Sequence, residues 1–188
     1  MWRAFILAAI LSSGQQPNAQ RYTGPNCLGP FCVGRNLALR SVLKHIGQPA
    51  TKTEPFCYQS QDGRRFLWLA SMAHHSGRAG DALLSDFPNC RHRAIEVAAV
   101  DLSAWKTKEG IGLGSSEQDV LKAYGKPSRK DTIDAHIYRW VIRGAGSSSE
   151  KLPHRGDTVL VYRGDDLRVA EFGFRNGRVC WIFLAENE

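Results

Sequence analysis

The chain has 188 residues, with 25 lysines and arginines against 18 aspartates and glutamates, a formal net charge of +7 and 43% hydrophobic residues. That length suits one domain or two small ones sharing a core. The basic residues are scattered and acids lie between them. This excludes a nucleic-acid stripe and leaves a solvated basic surface that favours acidic partners.

The chain opens MWRAFILAAILSSGQQPNAQ, in which Arg3 precedes an apolar run from Ala4 to Leu11. The run is less than half of what a helix needs to cross a bilayer. Residues 1–19 are therefore expected to be a signal peptide, cleaved near residue 14 or 19, and no transmembrane anchor is expected. No cysteine directly follows the run, which argues against a lipid anchor. The expected location is periplasmic or secreted.

Five cysteines follow, Cys27, Cys32, Cys57, Cys90 and Cys180. In an exported chain they suggest disulfides. The favoured pairs are Cys27–Cys32, closing a short loop around LGPF, and Cys57–Cys90, joining two strand-like segments. The longer loop would contribute about 3–4 kcal/mol on chain-entropy grounds. Cys180, inside RVCWIF, is expected to be buried and inert. The spacings contain no C-x-x-C and no paired Cys/His knuckle, so zinc is not indicated.

The segment from Gly34 to Lys52 is written again, 78 residues later, from Gly112 to Lys130, with seven of nineteen positions identical. Such a period indicates a duplicated supersecondary unit. In the first copy Asn36 lies near the cap, Leu39, Val42, Leu43 and Ile46 form an apolar stripe, Gly47 stops the helix and Pro49 lies beyond it. In the second, Ser115 with Gln118 suggests a capping box, Val120, Leu121 and Tyr124 form the stripe, and Gly125 and Pro127 end it. The units are placed at residues 27–104 and 105–188.

Strands follow each helix. After the first, FCYQS and RRFLWLASM flank Asp62-Gly63, a hairpin signal, and RAIEVAAVDL supplies a further strand. AHHSGRAGDALLSDF between them is expected to be a loop or a short helix. After the second come AHIYRWVIR, DTVLVYR, LRVAEFGFR and RVCWIFLAE, separated by a Gly/Ser-rich loop, a GDD turn and Asn176-Gly177. FPNCR before the last strand of the first half echoes FRNGR before the last strand of the second. The expected fold class is α+β: two tandem repeats, each a short helical segment packed on an antiparallel β-meander.

Few motifs carry chemistry. GIGLGSS lacks the preceding strand and the lysine of a phosphate loop, and reads as the lead into a helix. His74 and His75 with Asp81 form a weak metal candidate, because no third ligand stands at helical or strand spacing. Asp165/Asp166 and Glu54/Asp62 sit in turns, where carboxylates satisfy backbone amides. Both RGD triplets also fall at turns. No nucleophile stands in a recognisable catalytic setting, so no enzyme and no cofactor is expected. The aromatics alternate in their strands, Phe66 with Trp68, Tyr138 with Trp140, and Trp181 with Phe183. They build large apolar faces, and one short helix covers only part of such a face.

The stretch IGLGSSEQDVLKAYGKP, followed by LRVAEFGFRNGRVCWI, resembles the helix-then-sheet unit of the SmpA/OmlA family of small envelope proteins and of the β-lactamase inhibitory protein fold. The tandem arrangement is closer to the inhibitory protein, and the G-x-P ending to SmpA/OmlA. The SmpA/OmlA lipobox cysteine is absent. The resemblance implies a non-enzymatic binding protein, and it gives Asp62 the place of an aspartate-bearing hairpin that enters a target's active site.

These features lead to the expectation of an exported protein-binding module. It would engage another envelope or secreted protein through hairpin loops and sheet-face aromatics, with Asp62, Trp68, Tyr138, Trp140 and Trp181 as contacts. The alternatives are an inhibitor of a β-lactamase-type serine hydrolase and a small hydrolase or metal-binding enzyme.

Overall fold

A computed structural model of the chain describes residues 21–33, 39–50, 54–72, 75–88, 95–132, 157–165 and 167–186. Within these the fold is α+β, with two α-helices and a mostly antiparallel sheet of eight strands.

Helix α1 spans Leu39–Ile46, and the four apolar residues of its stripe, Leu39, Val42, Leu43 and Ile46, are the ones it buries. It stops at Gly47, which takes a positive φ of 121° and donates its N–H to the Leu43 carbonyl at 2.9 Å. Helix α2 spans Glu117–Tyr124 and ends the same way, Gly125 N–H donating to the Leu121 carbonyl at 2.8 Å. Its capping box is one residue later than the sequence suggests. Ser116 Oγ accepts from Asp119 N at 3.1 Å, and Asp119 Oδ2 accepts from Ser116 N at 2.8 Å. Ser115 Oγ instead accepts from Gly112 N at 3.1 Å and closes the preceding turn. Val120 and Tyr124 are buried, whereas Leu121 stays at the surface.

A small hairpin, β1 (Cys27–Leu28) and β2 (Phe31–Cys32), precedes α1 and is closed by the Cys27–Cys32 disulfide. The main strands are β3 (Phe56–Gln59), β4 (Phe66–Met72), β5 (His75–Ser85), β6 (Glu96–Val97), β7 (Arg129–Thr132), β8 (Thr158–Arg163), β9 (Arg168–Arg175) and β10 (Arg178–Glu186). Their order across the sheet is β6-β3-β4-β5-β10-β9-β8-β7, and only β3 and β6 run parallel. The halves meet at the centre, where β5 pairs β10 with Leu83 opposite Phe183.

Three expectations change. Residues 73–87, read as a loop or helix, contain β5, a central strand held by β4 and β10. Its sequence HSGRAGDALLS has weak strand propensity, but strand preference is set mainly by neighbours and burial, and here pairing on both sides decides. RAIEVAAVDL supplies only the two residues of β6. Beyond them Ala98 N donates to the Gln59 carbonyl and Ala99 N to the Ile46 carbonyl at 2.6 Å, so the chain leaves the sheet to satisfy the end of α1. FPNCR and FRNGR also differ in place: Phe87 and Pro88 follow β5, whereas Asn176-Gly177 turns β9 into β10. The expected strand AHIYRWVIR lies outside the described residues, and the strand paired with β8 is the charged β7.

Both helices and the N-terminal hairpin share one face. Leu28, Phe31 and Val33 join the stripe of α1, Val120 and Tyr124 of α2, and inward residues of six strands in a single cluster. Gly29, at φ 56°, lies against the Trp105 ring, where a Cβ would come within 2.7 Å. A second cluster occupies the opposite face, with Leu83, Val159, Val161, Trp181 and Phe183 buried in it. Each helix end is also tied to the sheet by a tyrosine. Tyr58 of β3 donates its hydroxyl to the Gly47 carbonyl at 2.8 Å, and Tyr162 of β8 donates to the Gly125 carbonyl at 3.1 Å. Burial pushes both phenols up to about 12, so they remain donors.

Candidate functional site

Asp62 sits at the tip of the β3–β4 hairpin, in a turn held by its own polar atoms. Ser60 N donates to the Arg65 carbonyl and Gly63 N to the Ser60 carbonyl, both at 2.9 Å. Asp62 Oδ1 accepts from Arg64 N at 3.0 Å and from the Ser60 hydroxyl, and Arg65 lies 3.5 Å from Oδ2. The Ser60 hydrogen bond, the Arg64 amide and the two arginine charges hold the Asp62 carboxyl below the usual carboxylate range. The side chain is half exposed, yet its oxygens are engaged in bracing the turn. Glu54 does similar local work, its Oε2 accepting from Ser71 N at 2.8 Å and from the Ser71 hydroxyl at 2.6 Å. Beside the tip, β6, which ends the order of the described strands, leaves Val97 58% exposed, and Ile95 before it is 37% exposed.

The aromatic face is not the open surface that alternation suggested. Cys57, Trp68, Leu83, Phe183, Glu171, Val161 and Arg129 stand opposite one another, strand by strand, on the face away from the helices. Trp68 is half-buried against this cluster. Trp181 is 0% exposed, so its expected role as a partner contact is corrected to core packing. Its indole lies over Gly173, where an added Cβ would come within 1.7 Å of Nε1, and only a residue without a side chain leaves that room. Tyr138 and Trp140 lie outside the described residues.

Two carboxylates share this face. Asp81 pairs with Ala70 and Ala185, and burial alone pushes its carboxyl up to about 6. Burial also raises Glu171, partly offset by Arg129 and Arg163. His74 lies outside the described residues, and among those described no group of three or more histidine, cysteine, aspartate and glutamate side chains could hold a metal. Cys57 is disulfide-bonded, and its expected partner Cys90 lies outside the described residues. Cys180 is free and buried, its thiol pushed up to about 12 by burial, as expected of an inert position.

A cleft of about 450 Å³ opens beside α2, lined by Glu109, Ile111, Ser115, Asp119, Lys122 and Ala123. A hydrogen-bond chain braces its wall. Ile111 N donates to Thr107 Oγ1 at 3.2 Å, the Thr107 and Tyr124 hydroxyls are 2.5 Å apart, and the Tyr124 hydroxyl is 2.7 Å from Glu109 Oε2. A phenol has one proton, which goes to the carboxylate, so Thr107 donates to Tyr124. Burial and the Glu109 charge raise the Tyr124 phenol far above its ordinary value, which keeps it a donor. Sequence reasoning placed Tyr124 in the helix stripe and missed the cleft. The signal was the substitution between copies, since the first has Ile46 at the aligned position.

No family model, no curated protein and no solved structure matches this chain.

Proposed function

We propose that the protein is an exported, non-enzymatic module that binds another envelope or secreted protein, built from two diverged copies of one helix-on-sheet unit. The duplication is supported by the paired ties Tyr58–Gly47 and Tyr162–Gly125, which join positions aligned by the repeat to tyrosines in β3 and β8. The helix-and-sheet likeness to SmpA/OmlA and β-lactamase inhibitory proteins belongs to the same proposal.

The observation that carries the binding reading is the pre-ordered turn Ser60–Arg65 beside the exposed Val97 and Ile95. A turn already fixed by hydrogen bonds loses little entropy on binding. Among the described residues, the strand at one end of the order, β6, presents Val97 with Ile95 just before it, whereas the strand at the other end, β7, carries Arg129, Lys130 and Asp131. The contact surface is therefore moved from the buried Trp181 to this end of the sheet, with Trp68 at its border.

The test is cross-linking of the tagged protein in an envelope fraction, beside a doubly substituted Arg64→Glu, Val97→Asp variant. A partner captured by the parent and lost by the folded variant supports the reading. Equal capture by both would refute this surface. The inhibitor reading rests on Asp62 at the hairpin tip. It predicts slower nitrocefin hydrolysis by a β-lactamase panel and weaker inhibition by Asp62→Ala, and no effect at micromolar protein excludes that panel.

A further inference from the structure

We propose that the cleft beside α2 receives the ammonium or guanidinium end of a lysine or arginine side chain from a partner protein. The chain carries a net charge of +7, yet two of the three ionisable groups lining this cleft, Glu109 and Asp119, are acids. Each is held from one side. Tyr124 occupies Glu109 Oε2, and the Ser116 amide and hydroxyl occupy Asp119 Oδ2 at 2.8 and 2.7 Å. Those hydrogen bonds hold Asp119 below the usual carboxylate range and keep it anionic.

The remaining carboxylate oxygens, Glu109 Oε1 and Asp119 Oδ1, are the acceptors left for a cation. Charge-assisted hydrogen bonds to a second donor are the strongest contacts such oxygens make. Buried Ile111 and half-buried Ala123 supply apolar wall for the methylene stem of a long cationic side chain. Lys122 is exposed and forms no ion pair among the described residues, so it lines the cleft without neutralising either acid by contact. The Tyr124 hydroxyl is the positioning group. Its counterpart in the first copy, Ile46, has no hydroxyl, so the chemistry is specific to the second half.

The experiment is an amide NMR titration of the full chain with Nα-acetyl-lysine amide and Nα-acetyl-arginine amide, with Nα-acetyl-norleucine amide as the uncharged control. Millimolar cationic probe is expected to shift the amides of Gly110, Ser115 and Lys122, while the norleucine probe leaves them in place. Glu109→Gln should weaken binding about tenfold, the scale of one charge-assisted contact. Lys122→Met should tighten it by removing a like charge. Absence of shifts, equal shifts with norleucine, or unchanged affinity in Glu109→Gln would overturn the proposal. Loss of binding in Lys122→Met would also overturn it, because that points to a zwitterionic ligand. The Arg64→Glu, Val97→Asp variant should bind the lysine probe like the parent, so failure here and failure at the hairpin are separate outcomes.

Discussion

Tyr162 donates its hydroxyl to the carbonyl of Gly125, 37 residues earlier in the chain, and so ties the stop of α2 to strand β8. Tyr58 makes the same tie from β3 to Gly47 at the end of α1. Both bonds engage the last turn of a helix, where carbonyls lack intrahelical donors. Tyr162→Phe and Tyr58→Phe keep the buried ring and remove only the donor. Each is expected to cost about 1 kcal/mol in urea unfolding, with little change in the slope of the transition. The double variant should be close to additive, since the two ties share no partner. A cost near zero for both would mean that water serves the two carbonyls equally well.

Gly173 predicts a larger effect. Its Cα faces the Trp181 indole so closely that a methyl group would overlap Nε1 and Cε2, at 1.7 and 1.9 Å. Trp181 is enclosed by the second cluster and has nowhere to retreat. Gly173→Ala should therefore destabilise the fold by about 3 kcal/mol or more, the upper range for overpacking a dense core. Adding Trp181→Leu should recover part of that loss. Thermal unfolding followed by circular dichroism measures both, and a neutral Gly173→Ala would show that the indole does not occupy this site.

The sequence was readable where local pattern and tertiary need agree. Leu39, Val42, Leu43 and Ile46 recur at helical spacing, and α1 buries all four. The runs DTVLVYR, LRVAEFGFR and RVCWIFLAE became β8, β9 and β10. Strand β5 was hidden because Gly, Ala and Asp fill it, and only its neighbours on both sides make it a strand. The fate of Trp181 was half visible. Seven successive apolar residues in VCWIFLA indicate a strand covered on both faces, whereas attention to alternation alone suggested an open one. At the cleft by α2 the sequence offered only the replacement of Ile46 by Tyr124 at the aligned position, because Thr107 and Glu109 meet that tyrosine only through folding of the loop onto the helix.

Asp81 gives the fold a pH dependence of definite sign. Burial raises its carboxyl from an ordinary 3.8 to about 6. A carboxyl with a raised folded value binds its proton more tightly in the native state. Its contribution is therefore fully favourable below about pH 4 and is lost as the pH climbs through about 6. At neutral pH the ionised Asp81 is a cost, at most about 3 kcal/mol between an ordinary 3.8 and a folded value of about 6. Asp81→Asn, which keeps the shape and removes the charge, should be more stable than the parent at pH 7.5. The advantage should shrink between about pH 6 and 4, in urea titrations run at each pH. An advantage that stays constant across that range would mean that Asp81 is ionised throughout and that its carboxylate is solvated, contrary to its position between Ala70 and Ala185.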